Sequence, residues 1–213
     1  MRRYDRSRQT LAIALAFLAG HVDATGFIVA GGYFTSFMSG NTTRLGVELF
    51  DRHTLPWIPL LLIGSFVTGV TIGSVIAARF QGRHKRILLA GIAGLLGVAS
   101  LALGAENELV FLALAALAMG AANNVFSRDG EVTVGVTYMT GALVRTGQGL
   151  ASRMMGRSTA AMRGYPSLWL ALSAGAVCGT GLYGVKPVAA AGVAAALALA
   201  LFVFAFRIEG RAP

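Results

Sequence analysis

The chain has 213 residues, of which 55% are hydrophobic and only 13% charged. A soluble domain carries about 25% charged residues, so the composition excludes an ordinary soluble fold and implies an integral membrane protein. The formal net charge of +9 would suit nucleic acid in a soluble chain. Here the basic residues flank apolar runs, so they read as membrane orientation with no nucleic-acid partner.

Arg2, Arg3, Arg6 and Arg8 precede the apolar stretch Leu11–Ala19 and imitate a secretory signal. The apolar character resumes after Asp23 and a similar segment recurs in mid-chain, so this segment reads as a retained span. Span 1 covers about Thr10 to Phe34, with His21 and Asp23 near its middle. A polar segment follows and ends in Glu48, Asp51, Arg52 and His53. Span 2 runs from about Leu55 to Ala78, and a basic loop with Arg79, Arg83, Lys85 and Arg86 leads into span 3, about Ile87 to Gly104. After the acidic loop Glu106-Asn107-Glu108, span 4 covers about Leu109 to Ser127. A second polar segment ends in Arg153, Arg157 and Arg163. Span 5 covers about Gly164 to Val185, and span 6 runs from Pro187 to Phe206. At about 1.5 Å per residue, each can cross a hydrocarbon core of about 30 Å.

The polar segments repeat. Gly20-His21-Val22-Asp23 precedes Phe37-Met38-Ser39-Gly40-Asn41-Thr42-Thr43-Arg44-Leu45-Gly46, and Gly120-Ala121-Ala122-Asn123 precedes Tyr138-Met139-Thr140-Gly141-Ala142-Leu143-Val144-Arg145-Thr146-Gly147. Four of the ten motif positions are identical, and the leading aromatic and the hydroxyl after the Met keep their chemistry. The chain therefore divides into repeats over about 10–104 and 109–206 of a single membrane domain. Three spans per repeat is an odd number, so the second repeat sits upside down relative to the first. Inverted repeats with interrupted helices near the midplane are a frequent transporter plan. Gly31-Gly32 and Gly40 are the expected breaks in the first copy, and Gly130, Gly135 and Gly141 in the second, giving an all-α bundle with two broken or re-entrant motif segments. With the N-terminus cytoplasmic, inside segments hold 15 of the 18 Lys and Arg residues, which puts both termini in the cytoplasm by the positive-inside rule.

Asp23 is the sharpest polar signal, because a carboxylate inside a span is costly and usually faces a bundle interior or a wet path. It reads as a proton or cation site, or as a structural anchor bonded to His21, Arg44 or a motif amide. Asn123 is its neutral counterpart and Asn124 adds a second amide. His21 lies two residues from Asp23, so on a regular helix the two side chains point about 200° apart. Ser39, Gly40, Asn41 and Thr42, with Thr140 and Gly141, stand where a helix starts. They either line a solute site or, for Ser39 and Asn41, cap a half-helix. Arg44 and Arg145 bind an anionic group, counter Asp23 or snorkel to headgroups. Gly69-x-x-x-Gly73 and Gly175-x-x-x-Gly179 fit close helix packing in spans 2 and 5. Cys178 stands alone, which leaves no intrachain disulfide. The three histidines sit in unrelated segments, and no metal-ligand spacing, phosphate loop or nucleophile elbow is present. No enzyme activity, metal or cofactor is expected.

Gly20-His21-Val22-Asp23-Ala24 followed by Phe37-Met38-Ser39-Gly40-Asn41-Thr42 resembles the YoaK-type family of bacterial membrane proteins. That family is marked by a Gly-(Tyr/His)-x-Asp element and a Thr-Gly-Asn-Thr motif, and Ser39 here replaces the usual Thr. Tyr138-Met139-Thr140-Gly141 resembles its second motif. The resemblance implies a six-span inner-membrane protein and supplies no reaction, since the family is known as a domain of unknown function. The repeat itself favours a secondary transporter or channel for a small polar solute or ion, with proton coupling through Asp23. The alternative is a non-transporting membrane scaffold or assembly factor, whose motifs only hold helices together. A transporter requires a polar cavity between the repeats, and a scaffold a dry, packed centre. The expected partners are lipid, the solute or ion, and a second copy in a homo-oligomer.

Overall fold

A computed structural model describes residues 5–50, 56–128 and 131–209. Nearly all of them are helical. Asp5 caps α1 (Arg6–Val29), its carboxylate accepting the Arg8 N–H at 2.9 Å. The motif helix α2 (Met38–Glu48) precedes α3 (Trp57–Arg79) and α4 (His84–Gly104). Asn107 caps α5 (Glu108–Ala122) by accepting the Val110 N–H, and a 3₁₀ turn, Asn123–Phe126, extends it. A two-residue antiparallel ladder pairs β1 (Ser127–Arg128) with β2 (Glu131–Val132). The second motif helix α6 (Met139–Met154) and the spans α7 (Tyr165–Val185) and α8 (Pro187–Glu209) complete the chain. Among the described residues, six helical segments are long and apolar enough to cross a membrane: α1, α3, α4, α5 with its 3₁₀ turn, α7 and α8. Their outward faces remain apolar, with Val75, Leu101, Val177 and Leu199 exposed, as hydrocarbon surroundings demand. The chain is a polytopic helical membrane protein.

Packing repeats along with sequence. The longest contacts join α1 to α7, α3 to α5 and α4 to α8. Smaller ones join α1 to α8, α4 to α5, α2 to α3 and α6 to α7. Exchanging α1 with α5, α2 with α6, α3 with α7 and α4 with α8 carries this set of contacts onto itself, as two copies of one packing unit do. Glycine makes the two equivalent seams possible. A β-carbon on Gly20 would lie 2.0 Å from the Leu172 carbonyl oxygen, and one on Gly120 would lie 2.1 Å from that of Phe66. Gly175 and Gly69 stand in the same relation to Phe17 and Leu117, at 2.0 and 2.1 Å. The partner backbones therefore touch directly, the arrangement that small residues permit between membrane helices.

The boundaries differ from the sequence reading in one consequential place. Span 1 begins earlier, at Arg6, and ends at Val29, where Gly31 and Gly32 take φ of 62° and 112°, a region open mainly to glycine. Asp23 therefore lies six residues before the end of α1, not near its middle. Gly40 and Gly141, expected as breaks, lie inside α2 and α6. Gly130, Asp51, Arg52 and His53 lie outside the described residues.

Candidate binding site between the two motif helices

Each motif is held by the polar residue that precedes it on the adjoining span. Asp23 Oδ1 accepts the Ser36 N–H at 2.8 Å and the Thr35 hydroxyl at 3.2 Å. Asn123 Oδ1 accepts the Thr137 hydroxyl at 3.1 Å and the Thr137 N–H at 3.4 Å, while its amide donates to the Met119 carbonyl at 3.1 Å. Ser36 and Thr137 occupy the same motif position, one residue before the aromatic. An oxygen at the end of a span therefore pins the start of each motif, and a carboxylate or an amide can supply it.

Neither motif helix receives a side-chain cap at its N-terminus. Asn41 does something else. It is fully buried, and its amide brackets the Phe34 backbone, accepting the N–H at 2.9 Å and donating to the carbonyl at 2.6 Å. The amide thereby replaces a strand neighbour for a residue whose own backbone has left the helix. Ser39 and Thr42 are exposed on α2, and the Thr42 hydroxyl is taken up by the Met38 carbonyl at 2.8 Å. The capping expected of Ser39 and Asn41 is thus absent. The orphan amides of both helix starts are left without side-chain partners.

The two uncapped starts converge. A cavity of about 310 Å³ is lined by Ser36–Ser39 of the first motif, Thr137–Gly141 of the second, and Phe66 of α3. Of the residues singled out from sequence, it gathers Ser39, Thr140 and Gly141. Asp23 and Asn123 stand behind its walls, each bonded to a lining residue.

The other candidates are dispersed. His21 points to α8, its Nε2 lying 2.8 Å from the Ala190 carbonyl oxygen. Because α1 is unbroken there, His21 and Asp23 do not meet. Asn124 ties α5 to α3, accepting from Ser74 at 2.9 Å and donating to the Val70 carbonyl at 3.1 Å. Arg44 does not counter Asp23. Its guanidinium lies 4.9 Å from the Tyr33 ring centre and against Gly32, where a β-carbon would fall 2.4 Å from one of its nitrogens. Arg145 covers Tyr165 in the same way, at 5.0 Å.

The sequence reading passed over Glu48 as a loop residue. It is buried in α2 and accepts the Tyr33 hydroxyl at 2.6 Å. Burial, and then this bond, push the Tyr33 phenol above its ordinary range. The other Glu48 oxygen, Oε2, is buried without a partner. A signal was present: Asn41 and Glu48 stand seven residues apart, one helical stripe, and they are the buried residues of α2.

Sequence comparison agrees with this architecture. The family described as "Protein of unknown function (DUF1275)" matches residues 11–204. The chain belongs to that family. A UPF0700 transmembrane protein of Rhizobium meliloti (strain 1021) is 38% identical over 179 residues, covering 84% of this chain and 77% of the relative. No solved structure matches the chain. The match covers the six spans and both motif helices, so the pinning oxygens and the cavity fall within the region shared with the family.

Proposed function

We propose that the protein is a secondary transporter or channel for a small polar solute or ion, and that the cavity between the starts of α2 and α6 is where that solute binds. One observation carries this reading: the two copies of the motif, 101 residues apart in sequence, line one cavity. The Met38, Gly40 and Met139 N–H groups already bond to backbone carbonyls, so what the two helix starts offer whatever enters is chiefly the positive ends of two helix dipoles. A cavity of about 310 Å³ has room for several waters, at about 30 Å³ each, or for a small solute. Binding at a repeat interface is the plan of inverted-repeat transporters.

Asp23 supplies the coupling group in this reading. Asn123 shows that pinning a motif needs only an oxygen acceptor, so the negative charge on Asp23 is surplus to that structural task. A proton on Asp23 would loosen its hold on Ser36 and with it one wall of the cavity, while the wall held by Asn123 stays fixed. Both termini face the cytoplasm in this reading, by the distribution of Lys and Arg. The YoaK-type resemblance of residues 20–24 and 37–42 supports a bacterial inner membrane. No enzymatic step is assigned.

Thiol labelling in native membranes tests the proposal. On a Cys178→Ser background, Ser39→Cys and Thr140→Cys are introduced singly and exposed to an impermeant reagent from either side. Alternating access predicts that each introduced thiol, lining the one cavity, is labelled from the periplasm in one state and from the cytoplasm in the other. A bound solute should raise one rate and lower the other, through its different affinity for the two states. Thiols that react only after denaturation would mean a dry centre, and a scaffold instead of a transporter.

A further inference from the structure

The groove beside Asp23 carries a second inference. It lies between α1 and α7, with a volume of about 440 Å³, and is separate from the cavity between the motif helices. Asp23 stands in its lining with Phe27 and Phe34, whose ring centres are 4.9 Å apart. Phe37 continues the aromatic cluster, 5.2 Å from Phe34 and edge-on to it. Leu172 and Ala176 supply an apolar opposite wall, and Thr180 a hydroxyl.

Three facts about this groove point to one ligand chemistry. First, Asp23 receives hydrogen bonds from neutral groups only, and no described basic side chain forms an ion pair with it. The carboxylate is thus uncompensated in an apolar setting, which a bound cation relieves. Second, aromatic faces next to a carboxylate favour a cation that is weakly hydrated and broad, because the ring quadrupole attracts charge without requiring hydrogen bonds. Third, the second repeat serves as an internal control. It has Asn123 for Asp23, Ser127 four residues on for Phe27 and, counted back from the motif aromatic, Gly135 for Phe34. The charge and the rings are lost together, while the pinning of the motif is kept.

We infer that the α1–α7 groove binds an organic monocation with an apolar body, its charge on Asp23 and its body along Phe27, Phe34, Leu172 and Ala176. This depends on the charge of Asp23 and not on the α2–α6 cavity carrying solute, so the two readings fail separately. A free amphiphilic amine and the quaternary ammonium of a lipid head share this chemistry.

Calorimetric titration of the purified full-length protein in a non-ionic detergent tests it. The probe is benzyltrimethylammonium, and the comparison is its neutral isostere neopentylbenzene, in which carbon replaces the nitrogen. Saturable binding of the cation, at least about tenfold tighter than of the isostere, is expected. Asp23→Asn should abolish that preference. Ala176→Phe, which fills the groove and leaves Asp23 in place, should weaken binding by at least about tenfold as well, and keeps the test decisive if Asp23→Asn does not fold. Competition by a short-chain phosphatidylcholine, but not by a phosphatidylglycerol of the same chain length, would assign the natural occupant to a lipid head. Competition by neither would assign it to a free solute. Equal binding of cation and isostere, an unchanged Kd in Ala176→Phe, or equal competition by both lipids would overturn the inference and leave an apolar crevice.

Discussion

Asp23 and Asn123 perform one structural task with different charge, and that difference can be dissected by substitution. Asp23→Asn keeps an acceptor oxygen for Ser36 and Thr35, so the melting temperature in detergent should stay near that of the parent. The pH dependence of uptake or ligand binding should disappear with the titratable group. Asp23→Ala removes the acceptor and strands the buried Ser36 N–H, a loss of about 1–3 kcal/mol. A thermal melt that falls equally for Asn and Ala would mean that the charge itself holds the loop. Asn41→Ala should cost a similar or larger amount, because two bonds to the Phe34 backbone go at once. Its effect is read as an earlier melt and a lower yield in the membrane fraction, with Asn41→Asp failing to rescue since it can accept but not donate.

At the scale of elements, the seams α1–α7 and α3–α5 depend on backbone contact at glycine. Gly20→Val and Gly120→Val each place a side chain on a partner carbonyl, and overpacking of this kind costs about 1–3 kcal/mol. The two variants should be destabilised alike, because the seams are equivalent. Gly94→Ala on α4 is the control: a β-carbon there meets nothing within 4 Å, and the gain in helix propensity makes it neutral or mildly stabilising. Size-exclusion profiles and melts of the three variants check this. A Gly94→Ala protein as damaged as Gly20→Val would show that glycine acts through flexibility and not through close approach. The motif helices α2 and α6 are less anchored, since only one stripe of each is buried, Asn41 and Glu48 in α2 and Ala142 and Gly149 in α6.

For the whole molecule, orientation is the property that separates inverted repeats from any other six-span arrangement. Reporter fusions ending near Glu106 and Lys186 should read periplasm, and fusions ending near Gly82 and Arg211 should read cytoplasm. A periplasmic C-terminus with the Gly82 loop still cytoplasmic would require an even number of crossings in one repeat, and the relation between the two motif copies would then be accidental.

What the sequence determined by itself is what one-dimensional patterns can carry. The six spans followed from uninterrupted apolar length, since a segment that must satisfy its backbone within hydrocarbon has to be a helix. The repeat followed from matching motifs, and the close seams from glycines at four-residue spacing in α3 and α7. Tertiary structure decided what the polar residues do. His21 and Asp23 sit two residues apart yet face different neighbours, because α1 does not break between them. Asn41 reads as a cap but brackets Phe34, because glycines at 31 and 32 turn the chain back across α2 before that helix starts. Glu48 reads as a loop residue but is buried on Tyr33. The cavity itself joins residues 36–39 to residues 137–141, and no local pattern encodes that distance. It exists because α1 packs on α7 and α3 on α5, which brings together the starts of the two motif helices.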